Sequence, residues 1–211
     1  MKNNSIIRTV QSRITDCKPG SIFVASDFTD IAKSKTVNTI LARLCQEGIL
    51  RRFPLGLYEY PEYNDFLEEF IAPSPDVIAR AIARNFDWKI SPCGANVLNQ
   101  MGLSTQVPAT LTYACNGAYK EYEFGKTKIK FIKAIDQDFD CENEKASMVI
   151  QAIKALGKKN VKSSILAKIG VICSDEDMEY IMKAVEHTTP WVGECLKEVY
   201  ESRTQIKEEK A

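Results

Sequence analysis

Ser34 to Tyr60, SKTVNTILARLCQEGILRRFPLGLYEY, is the stretch whose reading decides the fold. Val37, Ile40, Leu41 and Leu44 fall at i, i+3, i+4 and i+7, a single apolar stripe on a helix that Ser34 would cap. Gly48 is the residue type that stops a helix, because it accepts the left-handed backbone of the C′ position. Ile49 to Phe53 then reads as a strand, Pro54-Leu55-Gly56 as a turn, and Leu57 to Tyr60 as a returning strand. The helix face opposite the stripe carries Lys35, Thr36, Asn38, Thr39, Ala42, Arg43 and Gln46, with no acid before Glu47. Short polar and basic side chains in such a row are the types that reach base edges and phosphates. The hairpin brings Arg51 and Arg52 beside them.

Upstream, Ile6, Ile7, Val10 and Ile14 recur at helical spacing and predict a first helix over Asn4 to Thr15. Lys18-Pro19-Gly20 ends it, and Ser21 to Val24 is a short β-like run. Ser26 is a good N-cap for a second short helix, Asp27 to Ala32. Helix, short strand, helix, helix and hairpin is the order of a winged helix-turn-helix. Residues 1–61 are therefore expected to form a DNA-binding domain of that type. The candidate contacts are Lys33, Lys35, Thr36, Asn38, Thr39, Arg43, Arg51 and Arg52. A polar helix face is more often merely solvated. The missing acids, the short preceding helix and the two arginines weigh against that here.

The composition, 211 residues with 45% hydrophobic and 27% charged, is that of a soluble globular protein of one large or two small domains. No run approaches the roughly 18 apolar residues of a spanning helix. The N-terminal residues lack the apolar core of a secretory signal, so no membrane partner and a cytoplasmic location are expected. The seven cysteines are widely spaced, none in a C-x-x-C pair, and His187 is the only histidine. That spacing offers no zinc site, and no metal or cofactor is expected. Net charge is zero but uneven. Residues 1–60 hold nine basic and five acidic residues, a net of +4 against −4 for the rest, as a basic nucleic-acid-binding module joined to an acidic one would.

Pro61 closes the first module, an acidic and apolar segment follows, and Pro73-Ser74-Pro75 punctuates the chain. The domain boundary is expected at 61–75, with a C-terminal domain over 74–211. Ser74 and Pro75 open a helix through Arg84; Ser91 and Pro92 repeat the device for a helix from Cys93 to Met101. Strands are expected at Trp88–Ile90, Val107–Ala114, Lys120–Phe124 and Thr127–Ile135, giving a small antiparallel sheet with helices on it to about residue 140. From about 143 the periodicity is helical, in four stripes. The fold class is α+β: a winged helix-turn-helix domain, then an α/β domain with a helical C-terminal part.

Catalytic constellations are weak, and no enzyme is expected. His187 and Cys195 lie eight residues apart in a helical stretch and read as ordinary residues. Cys93 sits at a helix start, where a thiolate is favoured, but no base accompanies it. Asp136, Asp138 and Asp140 alternate without the glycine and glutamate of a calcium loop, and read as a solvated acidic loop. Lys126, Lys128 and Lys130 share one parity, so on a strand they share a face. That face is either a second polyanion-facing surface or an exposed, charge-protected sheet.

Three motifs in order suggest a family. GILRRFPLGLYEYP (48–61), PSPDVIARAIAR (73–84) and SPCGANVLNQMGLSTQVPA (91–109) resemble the AbiEi-like antitoxins of abortive-infection and type IV toxin–antitoxin loci, over about residues 5 to 135. The resemblance implies a two-domain regulator. Its winged helix would bind inverted repeats of double-stranded DNA in its own promoter, as a dimer, and repress the operon. Its C-terminal domain would neutralise a nucleotidyltransferase-like toxin, either by direct contact or through the toxin's target. Carried over by position, Lys35, Thr36, Asn38, Thr39 and Arg43 would be recognition-helix contacts, with Arg51 and Arg52 on the wing. Ser104 to Ala109 has no derivable chemical role and reads as a structural corner. The alternative is a stand-alone winged-helix regulator whose C-terminal domain senses a ligand or partner.

Overall fold

The chain is an α+β protein, and a computed structural model describes its residues 2–125, 127–134 and 143–208. It divides into two compact units, 1–88 and 89–211.

In the first unit, α1 (Lys2–Thr15) buries Val10 and Ile14. After β1 (Ile22–Phe23) the expected helix at Asp27–Ala32 is instead a 3-10 turn over Ala25–Phe28. The Asp27 carboxylate accepts from the Val24 N–H at 2.9 Å, which starts the turn early and tightens it. Ser26, expected to cap, donates instead to the Arg84 carbonyl at 3.2 Å. Next, α2 (Ser34–Gln46) buries Val37, Ile40, Leu41 and Leu44, the stripe read from spacing. Its N-cap is Lys33, in extended backbone and without a side-chain capping bond; Ser34 is the first helical residue.

The stop at Gly48 is as expected. Its φ is +76°, its N–H donates to the Cys45 carbonyl at 3.1 Å, and the Ile49 N–H donates to the Leu44 carbonyl at 2.9 Å. These two bonds satisfy carbonyls that the helix end would otherwise orphan. The chain is thereby turned into β2 (Arg51–Phe53), a 3-10 turn at Pro54–Gly56, and β3 (Leu57–Glu59). β3 is the middle strand of an antiparallel sheet, order β1-β3-β2, with Arg51 opposite Glu59 and Arg52 opposite Tyr58. The core beneath joins Val10, Ile14, Phe23 and Phe28 to the α2 stripe, Leu50 and Tyr58.

Residues 62–71, inside the expected boundary, form a hairpin of β4 (Glu62–Asn64) and β5 (Glu69–Ile71). Its tip residue Phe66 is 93% exposed. The helix α3 (Pro75–Asn85) is capped as read, the Ser74 hydroxyl accepting from the Val77 N–H. It packs on the first unit rather than the second. Arg84 donates to Asp27 at 2.9 Å and to the Ile22 carbonyl at 2.8 Å, and Asn85 donates to the Leu55 carbonyl at 3.0 Å. The compact units therefore part between Trp88 and Lys89, not at 61–75. This removes the charge contrast between modules. Residues 1–88 hold eleven basic and eleven acidic residues, because the acidic hairpin and α3 offset the basic first sixty.

The second unit begins with β6 (Ile90–Pro92), so Ser91 and Pro92 lie in a strand, and Cys93 is the N-cap of α4 (Gly94–Gln100). Three further strands, β7 (Thr110–Cys115), β8 (Lys120–Phe124) and β9 (Thr127–Lys133), complete a sheet of order β6-β7-β9-β8. The sheet is mixed, not antiparallel throughout: β7 and β9 run parallel, Thr110 opposite Lys128 through Cys115 opposite Lys133. Residues 116–119 carry the chain past the end of β9, where the Ala134 N–H donates to the Cys115 carbonyl. Four helices follow: α5 (Glu144–Leu156), α6 (Ser163–Ile172), α7 (Asp175–Ala184) and α8 (Pro190–Glu208). They enclose an apolar core of Val149, Ile150, Ile153, Leu166, Ile169, Ile181, Val192 and Leu196 with Val97 of α4. Gly170 lies inside α6 and lets α8 approach, since a Cβ there would meet the Val199 carbonyl at 3.1 Å.

Candidate nucleic-acid interface

The outward face of α2 and the β2–β3 hairpin enclose an open groove of about 870 Å³. From the helix come Lys35, Asn38, Thr39, Ala42 and Gln46, residues that share one face by their spacing. From the hairpin come Arg52 of β2, Gly56 of its turn and Tyr58 of β3. Arg52 and Tyr58 are a cross-strand pair and so point to the same side. Tyr58 is 3% exposed, whereas Lys35, Asn38, Thr39, Gln46 and Arg52 are open to solvent. Among the described residues no carboxylate lines the groove. Among the described residues, Lys35 and Arg52 form no ion pair, and Asn38 and Gln46 make no side-chain hydrogen bond to protein. The Thr39 hydroxyl is committed to the Lys35 carbonyl at 3.0 Å. The groove thus presents two free cations and two free carboxamides.

Four of the eight expected contacts lie elsewhere. Lys33 is exposed at the N-cap, and Thr36 is half-buried on the flank of α2. Arg43 pairs with Glu47 at 2.8 Å along the helix. Arg51 departs furthest from expectation. Strand alternation turns it away from Arg52, and it binds the fully buried Glu59 at 2.6 Å, with its guanidinium 4.7 Å from the Phe70 ring. It satisfies one oxygen of a buried carboxylate and ties β2 to the hairpin ring, a structural task. The other oxygen, Glu59 Oε1, has no partner among the described residues. Tyr58 and Gly56 were not among the expected contacts. Their signal was the tight turn at 54–56, which fixes the register and sets Tyr58 opposite Arg52.

The lysines of the second unit are a different case. Lys126 lies outside the described residues. Lys128 faces Glu123 across the β8–β9 ladder and pairs with it at 2.7 Å. That bond holds the Glu123 carboxyl below its ordinary range and raises the Lys128 ammonium above its own. Lys130 stands opposite Glu121 and 5.4 Å from the Tyr119 ring. Of the described lysines on this face, Lys128 is ion-paired, and Lys130 has an acid across from it in the ladder.

The cysteines offer no reactive thiolate among those whose titration is displaced. Burial pushes Cys93 up to about 12 despite its place at a helix start, and Cys173 up to about 11. His187 is exposed just beyond α7, and the alternating aspartates at 136, 138 and 140 lie outside the described residues. A second cavity, about 380 Å³, opens between α7 and α8 beside Met178, Met182 and Tyr200. Its cation, Arg203, is already held by Asp175 at 2.9 Å and by the Gly170 carbonyl at 2.8 Å. Among the described residues no helix is long and apolar enough to cross a membrane.

Residues 9–181 match a family of unknown function, DUF6088. The chain belongs to DUF6088. The DUF6088 match begins within α1, takes in the groove and the mixed sheet, and ends within α7. No curated protein and no solved structure matches the chain significantly.

Proposed function

We propose that the first unit is a winged helix-turn-helix that lays α2 in the major groove of double-stranded DNA, with the β2–β3 hairpin as its wing. The observation that carries this reading is the acid-free groove joining Lys35, Asn38, Thr39, Ala42 and Gln46 to Arg52. Cations without protein partners are available to phosphates, and free carboxamides to base edges. A half-buried Arg51 bound to Glu59 keeps the wing rigid rather than touching DNA.

The wider role rests on the three motifs and their likeness to AbiEi-like antitoxins. In this reading the protein works in the cytoplasm, binds inverted repeats in its own promoter as a dimer, and represses a toxin–antitoxin operon. It also neutralises a nucleotidyltransferase-like toxin, and performs no catalysis itself. A regulator whose second unit senses a small ligand is the other reading; the cavity between α7 and α8 favours it.

The test combines two measurements on the full chain. Purified protein should bind the DNA just upstream of its gene, with an affinity that falls steeply as salt rises. Co-expression with the neighbouring gene should relieve that gene product's toxicity. Lys35→Ala with Arg52→Ala should weaken promoter binding and leave the relief intact. Absence of salt-sensitive promoter binding overturns the DNA reading, and absence of relief overturns the antitoxin reading.

A further inference from the structure

We infer that the groove reads an A·T step, with Asn38 as the residue that recognises adenine. This rests on the DNA reading above and goes beyond it to the class of base recognised. The three groove-facing residues at the middle of the α2 face are Asn38, Thr39 and Ala42, at i, i+1 and i+4, and so form one patch. Each offers a different set of groups. Asn38 has a free carboxamide, which presents one donor and one acceptor side by side. Adenine is the base whose major-groove edge matches that pair, with N7 accepting and N6–H donating. Guanine shows two acceptors there and would leave the Asn38 oxygen unmatched.

Thr39 and Ala42 fix the neighbourhood. The Thr39 hydroxyl proton is spent on the Lys35 carbonyl, so the side chain has no donor left and offers its methyl and an acceptor oxygen. Ala42 offers only a methyl. Two methyls beside a carboxamide form an apolar patch suited to the C5-methyl of thymine, the one apolar feature of the major-groove edge. Cytosine presents an N4–H donor and no acceptor, so it would leave the Asn38 N–H unmatched, and none of the described groove-lining residues is a carboxylate, the usual partner of that donor. Gln46 supplies a second carboxamide eight residues on, roughly 12 Å along the helix and within the span of a groove. Lys35 and Arg52 flank the patch from the first turn and from β2, where they neutralise phosphates.

The experiment selects duplexes from a pool with a randomised core, using the full chain, and then measures anisotropy on the winning duplex. An A·T pair flanked by thymine is expected at the centre of the enriched half-site. Replacing that pair by G·C should weaken the wild type by between about 5-fold and 150-fold. Replacing its adenine by 7-deazaadenine, which removes only N7, should weaken it about 5-fold. Asn38→Ala, at an exposed position, should bind all three duplexes alike and keep the wild-type salt dependence. A G·C core, indifference of the wild type to 7-deazaadenine, or discrimination retained by Asn38→Ala overturns the inference and leaves DNA binding standing. Absence of salt-sensitive binding to any duplex overturns the DNA reading, and the inference with it.

Discussion

Two surfaces of this molecule carry closely spaced cations, and their surroundings treat them in opposite ways. On the β8–β9 ladder, Glu123 stands opposite Lys128 and Glu121 opposite Lys130, so register supplies each lysine with an acid. Beside α2, Lys35 and Arg52 face a groove without a carboxylate, while the neighbouring Arg43 and Arg51 are consumed by Glu47 and Glu59. A count of basic residues does not separate the two. What separates them is the partner that the local geometry places across from each cation. Cross-strand pairs meet at close range and helix residues four apart meet as well, so alternation and spacing decide which charges remain to act at a distance.

The comparison can be broken most severely by Ala42→Glu. A carboxylate in the middle of the groove would meet the base edges within the field of the phosphates on either side, and like charges brought so close cost several kcal/mol. DNA affinity should fall at least about 100-fold, with an unchanged circular dichroism spectrum; retention of affinity would move the interface elsewhere. Arg51→Ala should act on the fold instead. It leaves the buried Glu59 unpaired, at about 2 kcal/mol in urea denaturation, less than for a fully buried pair because the guanidinium reaches solvent. The salt dependence of DNA binding should not change.

Glu121→Gln with Glu123→Gln, made together with Ala42→Glu, should unmask the ladder lysines. A weak, salt-sensitive and sequence-indifferent binding to duplex DNA should appear, readable as retention on heparin. The smallest effect concerns protons. Because Lys128 holds Glu123 below its ordinary range, the small stabilisation from their pairing is present above the unfolded carboxyl value, about 4.3. It is lost only as pH falls through the lower folded value. In an NMR titration the Glu123 carboxyl should therefore titrate below an ordinary glutamate, and Lys128→Ala should return it upward.

Much of the α2 region was legible because its signals are local. The stripe Val37, Ile40, Leu41, Leu44 and the stop at Gly48 depend only on helical period and a left-handed turn. The groove-facing row was legible for the same reason. Arg51 was not, because its fate depends on Glu59 being buried across the ladder. The domain boundary was hidden in the same way: the allegiance of α3 is set by Arg84 reaching Asp27, 57 residues away in the chain. In the second unit, β7 and β8 follow one another in the chain, yet β9 intervenes between them in the sheet. Parallel pairing leaves no short-range mark in a sequence. The hairpin at 62–71 escaped notice because both of its strands are largely exposed and show no alternation of apolar and polar residues.

The measurement that bears most directly on the account is the salt dependence of binding to the DNA upstream of the gene, compared across three proteins. Each cation that neutralises a phosphate steepens the plot of log affinity against log salt by about one. Lys35→Ala with Arg52→Ala should flatten the wild-type slope by about two, whereas Lys128→Ala with Lys130→Ala should leave it unchanged. The reverse pattern, with the ladder lysines carrying the slope and the groove cations silent, would contradict the assignment of DNA binding to α2 and the β2–β3 hairpin.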